Sequence, residues 1–165
     1  DFNWGTLDLE SQTTWQRENV FQLFAPGTVA GFDELDIVGD IGSPEYVSNF
    51  RATARKNDWS VTYFIQFASE TDASRTDDEI INYFGKENVR RDITFERYMQ
   101  HNLSVLYRQD KWDLLIGVNN LLDEEPDLVS AGAVAPVATR GNVPISGTQA
   151  SLLGRRIFGR LNFRF

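Results

Sequence analysis

His101 is the sole histidine of the chain, and Ser104 stands three residues beyond it. A hydroxyl nucleophile needs an imidazole within hydrogen-bond reach. On a strand, residues three apart point to opposite faces, so this pair is not expected to act together. No other catalytic constellation stands out, and the chain reads as a non-enzyme. The absence of cysteine excludes disulfides, thiolate metal sites and cysteine nucleophiles, and one histidine excludes a polyhistidine metal site. Asp77, Asp78 and Glu79, or Asp123, Glu124 and Glu125, offer hard oxygen ligands of the kind Ca²⁺ takes. Neither group has the spacing of a defined calcium loop, so solvated loop charge is the preferred reading. No metal or cofactor is expected. Arg51, Arg55, Arg160 and Arg164 present guanidinium forks suited to carboxylates, with Asp8 and Glu10 as the favoured partners.

The 165 residues suggest one domain. The formal net charge of -8 argues against broad nucleic-acid binding. A mean hydropathy of -0.36, with no apolar run near 18 residues, excludes a transmembrane helix. A hydrophobic content of 41% and an aromatic content of 13% are too rich for a solvated coil. The chain starts at Asp1 with neither Met nor a signal peptide, and is expected to be a processed product or a fragment of something longer.

What positions these residues is a set of strands. Trp59, Val61, Tyr63, Ile65 and Phe67 alternate with Ser60, Thr62, Phe64, Gln66 and Ala68. Such period-two alternation marks a strand between two unlike environments. The pattern recurs at Leu7–Trp15, at Asn49–Arg55, at Asn102–Arg108 with Leu106 as an exception, at Trp112–Asn119 with Leu115 as an exception, and at Ile157–Phe165. Six strands are predicted. Tight polar turns at Arg55–Asp58 and Arg108–Lys111 alternate with long links, roughly 24–44, 70–93 and 123–150, that collect Gly, Pro and acids.

Alternation alone leaves open whether the apolar face meets a protein core or lipid. Segments 58–70, 94–109 and 150–165 reach the roughly 9–11 residues that a tilted spanning strand needs. Trp59, Tyr107 and Trp112 sit beside the tight turns, where an interfacial aromatic girdle belongs. Short turns at one end and long loops at the other match the two sides of an outer-membrane barrel. Asp8, Glu10, Arg51, Arg55, Arg160 and Arg164 all fall on the face opposite the large apolar residues. The expected fold is all-β, an antiparallel up-and-down transmembrane β-barrel segment, and His101 is expected as a polar rim residue near the membrane interface.

The stretch Val118–Pro126 (VNNLLDEEP) resembles the exit of the penultimate strand in TonB-dependent outer-membrane receptors. There a similar run, here Asn120, Leu121, Leu122, Asp123 and Pro126, precedes a long extracellular loop and the closing strand. Leu122 stands where that family usually has Phe. Gly154 and Arg155, followed by Arg156, Ile157 and Phe158, are similar to the family's start of the closing strand, with Ile157-Phe158 in place of an aromatic pair. Tyr46 to Trp59, preceded by Gly42-Ser-Pro44, also looks like a receptor hairpin. The terminal Leu161–Phe165 is similar to the outer-membrane assembly signal, carried by Ile157, Leu161, Phe163 and Phe165.

The resemblance implies energised uptake by a large barrel, about 22-stranded in plugged transporters. Residues 1–165 then form about six strands at its C-terminal end, with the plug domain upstream and outside this chain. The implied partners are the lipid bilayer, the plug and remaining barrel, a periplasmic energy-transducing TonB protein reached through the plug, and the barrel-assembly machinery. The implied location is the outer membrane of a Gram-negative bacterium. The cargo is a bulky nutrient such as a siderophore, cobalamin or a carbohydrate, with the loop aromatics Phe32, Tyr83 and Phe84 as candidates to stack on it or to pack the loops. A passive porin and a soluble β-sandwich carbohydrate-binding module are the alternatives.

Overall fold

Six long strands form where the alternation is strongest: β1 (Thr6–Trp15), β2 (Tyr46–Lys56), β3 (Trp59–Ala68), β4 (Tyr98–Arg108), β5 (Trp112–Asn119) and β6 (Arg156–Phe163). The structure is a computed structural model that describes residues 5–22, 25, 35–40, 42–72, 81–83, 86–89, 94–129, 143–144, 151 and 153–165. Each long strand pairs antiparallel with the next in sequence, giving one six-stranded sheet in the order β1 to β6. The sheet is not closed: β1 and β6 each have one paired edge. The described residues contain no helix.

The connections differ by end. Asn57 and Asp58 join β2 to β3, with Asn57 at a φ of 50°. Asn tolerates this left-handed conformation better than other side-chain-bearing residues, and two-residue hairpins call for it. Gln109–Lys111 join β4 to β5, and the Arg108 amide donates to the Asp58 carbonyl at 2.9 Å, tying the two turns together. At the opposite end the links are long and build short ladders of their own. Val20–Phe21 pairs with Leu35–Asp36, Thr71–Asp72 with Thr94–Phe95, Ile81–Tyr83 with Lys86–Val89, and Leu128–Val129 with Val143–Pro144.

The last wall strand begins at Arg156 rather than near 150. Ser151 closes a local turn on Leu153, accepting from its amide at 3.3 Å and donating to its carbonyl at 3.1 Å. The Arg155 amide is then taken by the Asp123 carboxylate at 2.7 Å. A backbone whose donors are satisfied this way has left the ladder.

Register decides the faces, because directly opposed residues point to the same side. Leu7, Ala54, Val61, Val105, Ile116 and Gly159 form one row across the sheet, and Asp8, Thr53, Thr62, Ser104, Gly117 and Phe158 form the next. Rows alternate apolar and polar along the strands. The two pattern-breaking leucines turn out to be partners: Leu106 opposes Leu115 on the polar face. Each exception is thus packed by the other.

The open sheet leaves both of its faces largely accessible. Few apolar side chains are buried; Val38, Ala68, Phe95 and Tyr98 gather at the loop end of the structure. Thr53, Gln100, Asp113 and Asn120 are buried too, although polar. Leu9, Trp59 and Phe163, by contrast, are 63%, 53% and 62% exposed. No second layer covers the apolar rows in the described structure.

Candidate functional site: the polar wall and its loop-end clamp

The apolar face carries an aromatic belt at the turn end, across β3 to β6, and a shorter one at the loop end, on β1 and β2. At the turns, Trp59 lies 4.5 Å from Tyr107, which meets Trp112 edge-on at 5.5 Å. Phe163 opposes Trp112 in the ladder. At the loops, Trp15 stacks on Tyr46 at 6.0 Å, donates its indole N–H to Glu45 at 3.2 Å and lies under the Arg17 guanidinium. This second belt escaped the sequence reading, although Trp15 is the last member of the alternation begun at Leu7. Between the belts the face holds no acid, lysine or arginine; Lys56 lies at its turn-end margin. Its polar groups are largely paired with one another, Thr13 with Ser48 at 2.8 Å and Tyr63 with His101 at 2.6 Å.

His101 lies within β4 and is bonded to Tyr63 on the apolar face. Ile65 is its ladder partner, whereas Ser104 lies on the other face opposite Thr62 and Gly117. The two cannot form a nucleophile–base pair.

On the polar face of the wall stand six arginines, Arg51, Arg55, Arg108, Arg156, Arg160 and Arg164, and three acids, Asp8, Glu10 and Asp113. All three acids are spent across the strands. Arg51 pairs with Glu10 at 3.0 Å, Arg55 with Asp8, and Arg164 with Asp113 at 2.9 Å. Asn162 donates a further bond to Asp113 at 2.7 Å. The wall-internal pairing expected for Asp8 and Glu10 is present. Arg108, Arg156 and Arg160 have no ion-pair partner among the described residues. The wall is thus cationic although the chain as a whole is acidic.

Between β3 and β6 this face holds a trough of about 360 Å³. Phe64 and Phe158 wall it, with Gln66, Ser104, Asn119 and Arg156 among its polar lining. Phe158 is held by the absence of a side chain at Gly117, its ladder partner: a Cβ there would overlap the phenyl ring. Arg51 rests 5.4 Å from the centroid of Phe64. Along the trough runs a polar chain in which Tyr98 donates to Gln100 at 3.2 Å and Gln100 donates to Asn102 at 2.8 Å. The side chains of Gln66, Ser104, Asn119 and Arg156 make no hydrogen bond among the described residues, so their donors and acceptors remain available.

The Asn-Leu-Leu-Asp run works as a clamp on the base of the third loop. Asn120 is almost fully buried and left-handed at φ 55°. Its side chain donates to the Glu124 carbonyl at 2.8 Å and accepts from the Glu124 amide at 2.9 Å, closing a local ring. Its own amide donates to Asn102 at 3.1 Å, anchoring the turn to β4. Asp123, also left-handed at φ 60°, reaches across to the Arg155 amide beside Gly154. Leu122 is 61% exposed and Leu121 half-buried. Pro126 lines a smaller cleft with Phe95, Glu96 and Tyr98, where Asp127 accepts from the Glu96 amide at 2.7 Å. The motif thus ties loop ends together, and the Asp123 carboxylate is already engaged. Among the described residues no three acidic or histidine groups gather as a metal-ligand set.

Phe32, Phe84, Asp77, Asp78 and Glu79 lie outside the described residues, as does the side chain of Tyr83. Ile157, Leu161, Phe163 and Phe165 are all exposed along the edge strand β6 and its end. No known protein family, curated protein or solved structure matches the chain.

Proposed function

We propose that this chain is barrel wall and loops of an outer-membrane receptor that takes up a bulky nutrient with energy supplied from the periplasm. The observation that carries the reading is the pair of aromatic belts with an uncharged apolar band between them. Ten residue steps separate Tyr46 from Lys56, about 33 Å at ~3.3 Å per residue. At the ~40° tilt of barrel strands that length becomes a height of about 25 Å, the height of the apolar band of outer-membrane barrels. In a soluble sandwich the same residues would be covered by a second sheet.

Under this reading the open edges of β1 and β6 pair with further strands of a barrel of about 22, because lipid cannot satisfy a free strand edge. Ile157, Leu161, Phe163 and Phe165 then form the segment that the assembly machinery engages. The polar face lines the lumen, beside a plug domain on which the periplasmic TonB protein pulls. The location is the outer membrane of a Gram-negative bacterium. The choice of receptor over passive porin rests on the resemblance of Asn120–Pro126 and Gly154–Arg155 to the TonB-dependent class.

The test uses single cysteines, since this segment has none of its own. In the full-length protein in membranes, Ser104→Cys is expected to react with a charged, membrane-impermeant maleimide, and Val105→Cys only with a lipid-soluble one. Reaction of Val105→Cys with the charged reagent as fast as Asp110→Cys in the exposed turn would overturn the membrane reading. Purified protein in liposomes is expected to hold back small solutes. A steady open-channel leak would replace the receptor with a porin.

A further inference from the structure

We propose that the trough between Phe64 and Phe158 is a binding site for an acidic sugar unit, with Arg156 as its carboxylate clamp. The inference rests on the lumenal placement of the polar face and names the cargo class for it.

Three features converge on this chemistry. A sugar ring has C–H faces that pack on aromatic rings, and the trough supplies two phenyl groups on different strands. Sugar hydroxyls both donate and accept, and so do side-chain amides and hydroxyls. Gln66, Asn119 and Ser104 retain this capacity because none is engaged within the described structure. A carboxylate on the sugar matches the planar guanidinium of Arg156, which forms no ion pair among the described residues. A neutral sugar would leave that cation unused, and a small inorganic anion would leave the phenyl faces and amides unused. The trough volume of about 360 Å³ is within the range of small-molecule pockets.

The charge pattern adds selectivity. Arg51 borders the trough with its charge already matched by Glu10. Arg156 and Arg160 lie four residues apart on the polar side of β6, with Phe158 between them. One anionic unit can sit at Arg156 while the next in an acidic oligosaccharide approaches Arg160.

The probe is a uronic-acid trisaccharide, set against its methyl ester and against inorganic pyrophosphate, titrated into the full-length protein in detergent micelles. The acid is expected to bind at least about tenfold more tightly than the ester, the scale of a hydrogen bond to a charged group. Arg156→Gln is expected to erase that preference by weakening the acid far more than the ester, and Arg156→Lys to restore part of it. Phe158→Ala is expected to weaken acid and ester alike. Labelling of Ser104→Cys by the charged maleimide is expected to slow when the trisaccharide is added. Equal binding of acid and ester, or pyrophosphate binding as well as the sugar, overturns the proposal. Ser104→Cys already shielded without ligand also overturns it, because a segment of the protein itself would then fill the trough. If Ser104→Cys labels freely and the sugar neither binds nor protects, this proposal fails while the membrane reading stands. If Val105→Cys labels with the charged reagent, both fall.

Discussion

Val105 and Ser104 are neighbours on β4, one on each face of the sheet. Around Val105 stand Val61 and Ile116, and no acid, lysine or arginine shares that face between the aromatic belts. Around Ser104 stand Thr62 and Gly117, with Arg156 close enough to share the same trough. The two faces share one backbone ladder, so hydrogen bonding cannot distinguish them. Their difference lies in side-chain chemistry. One face holds no acid, lysine or arginine between its aromatic ends, and the other carries three arginines beyond the number of its acids. The net charge of -8 conceals this, because the acids are concentrated in the loop-end segments while the arginines stand on the wall.

The sharpest way to break the comparison is to move a charge from one face to the other. Val105→Arg is expected to cost about 2–4 kcal/mol, the value for a cation at the lipid-facing midplane of a barrel. That is enough to deplete the folded, heat-modifiable form of the full-length protein in the outer membrane. Ser104→Arg is expected to leave that form at its normal level. Equal tolerance of the two would mean that the faces meet the same medium.

A second contrast separates Asn120 from Asn119, adjacent residues with opposite duties. Asn120→Ala removes two buried hydrogen bonds to Glu124 and places a side chain poorly suited to φ 55° at a left-handed position. About 2 kcal/mol of stability should be lost, measured by urea unfolding in micelles. Asn119→Ala, at a residue whose side chain makes no hydrogen bond among the described residues, should change stability by less than about 0.5 kcal/mol and should show itself in ligand binding instead.

These pairs also show what could be read from the chain before its structure. The strands and their faces were legible because period-two alternation is a local signal, and the six strands follow it. The exceptions Leu106 and Leu115 were visible as exceptions, but that they cancel each other depends on cross-strand register. The belt of Trp15 and Tyr46 was missed for the same reason: the two residues are 31 positions apart in sequence and stacked in space. Asn120, Asp123 and Gly154 stood out through resemblance, yet their work as a clamp depends on φ angles and on a bond spanning 32 residues. The trough was not legible at all. Phe64 and Phe158 each read as an aromatic on the polar side of its own strand, and only the sheet order brings them to one cavity.

The packing of that cavity offers a smaller effect. Gly117→Ala puts a methyl group where the Phe158 ring lies, and the ring must shift. A cost of about 1 kcal/mol is expected, together with weaker sugar binding. Phe158→Ala should remove most of the stability cost of Gly117→Ala, so the double-mutant cycle should show strong coupling. Independent effects would mean that Phe158 is not held by the glycine.

The smallest expected effect tests the polar face most directly. The Arg51 and Glu10 side chains are 52% and 67% exposed, and an exposed pair of this kind contributes about 0.2–1 kcal/mol in double-mutant cycles. If the polar face is wet, the coupling should shrink when salt rises from about 0.05 M to about 0.5 M, because screening shortens from well above the pair's separation toward it. If that face were instead pressed dry against protein, the same pair would couple by several kcal/mol and barely respond to salt, since buried charges are little screened. A small, salt-sensitive coupling therefore places water on the arginine side of the wall. Combined with the intolerance of charge at Val105, it would leave lipid as the medium that fits the opposite side.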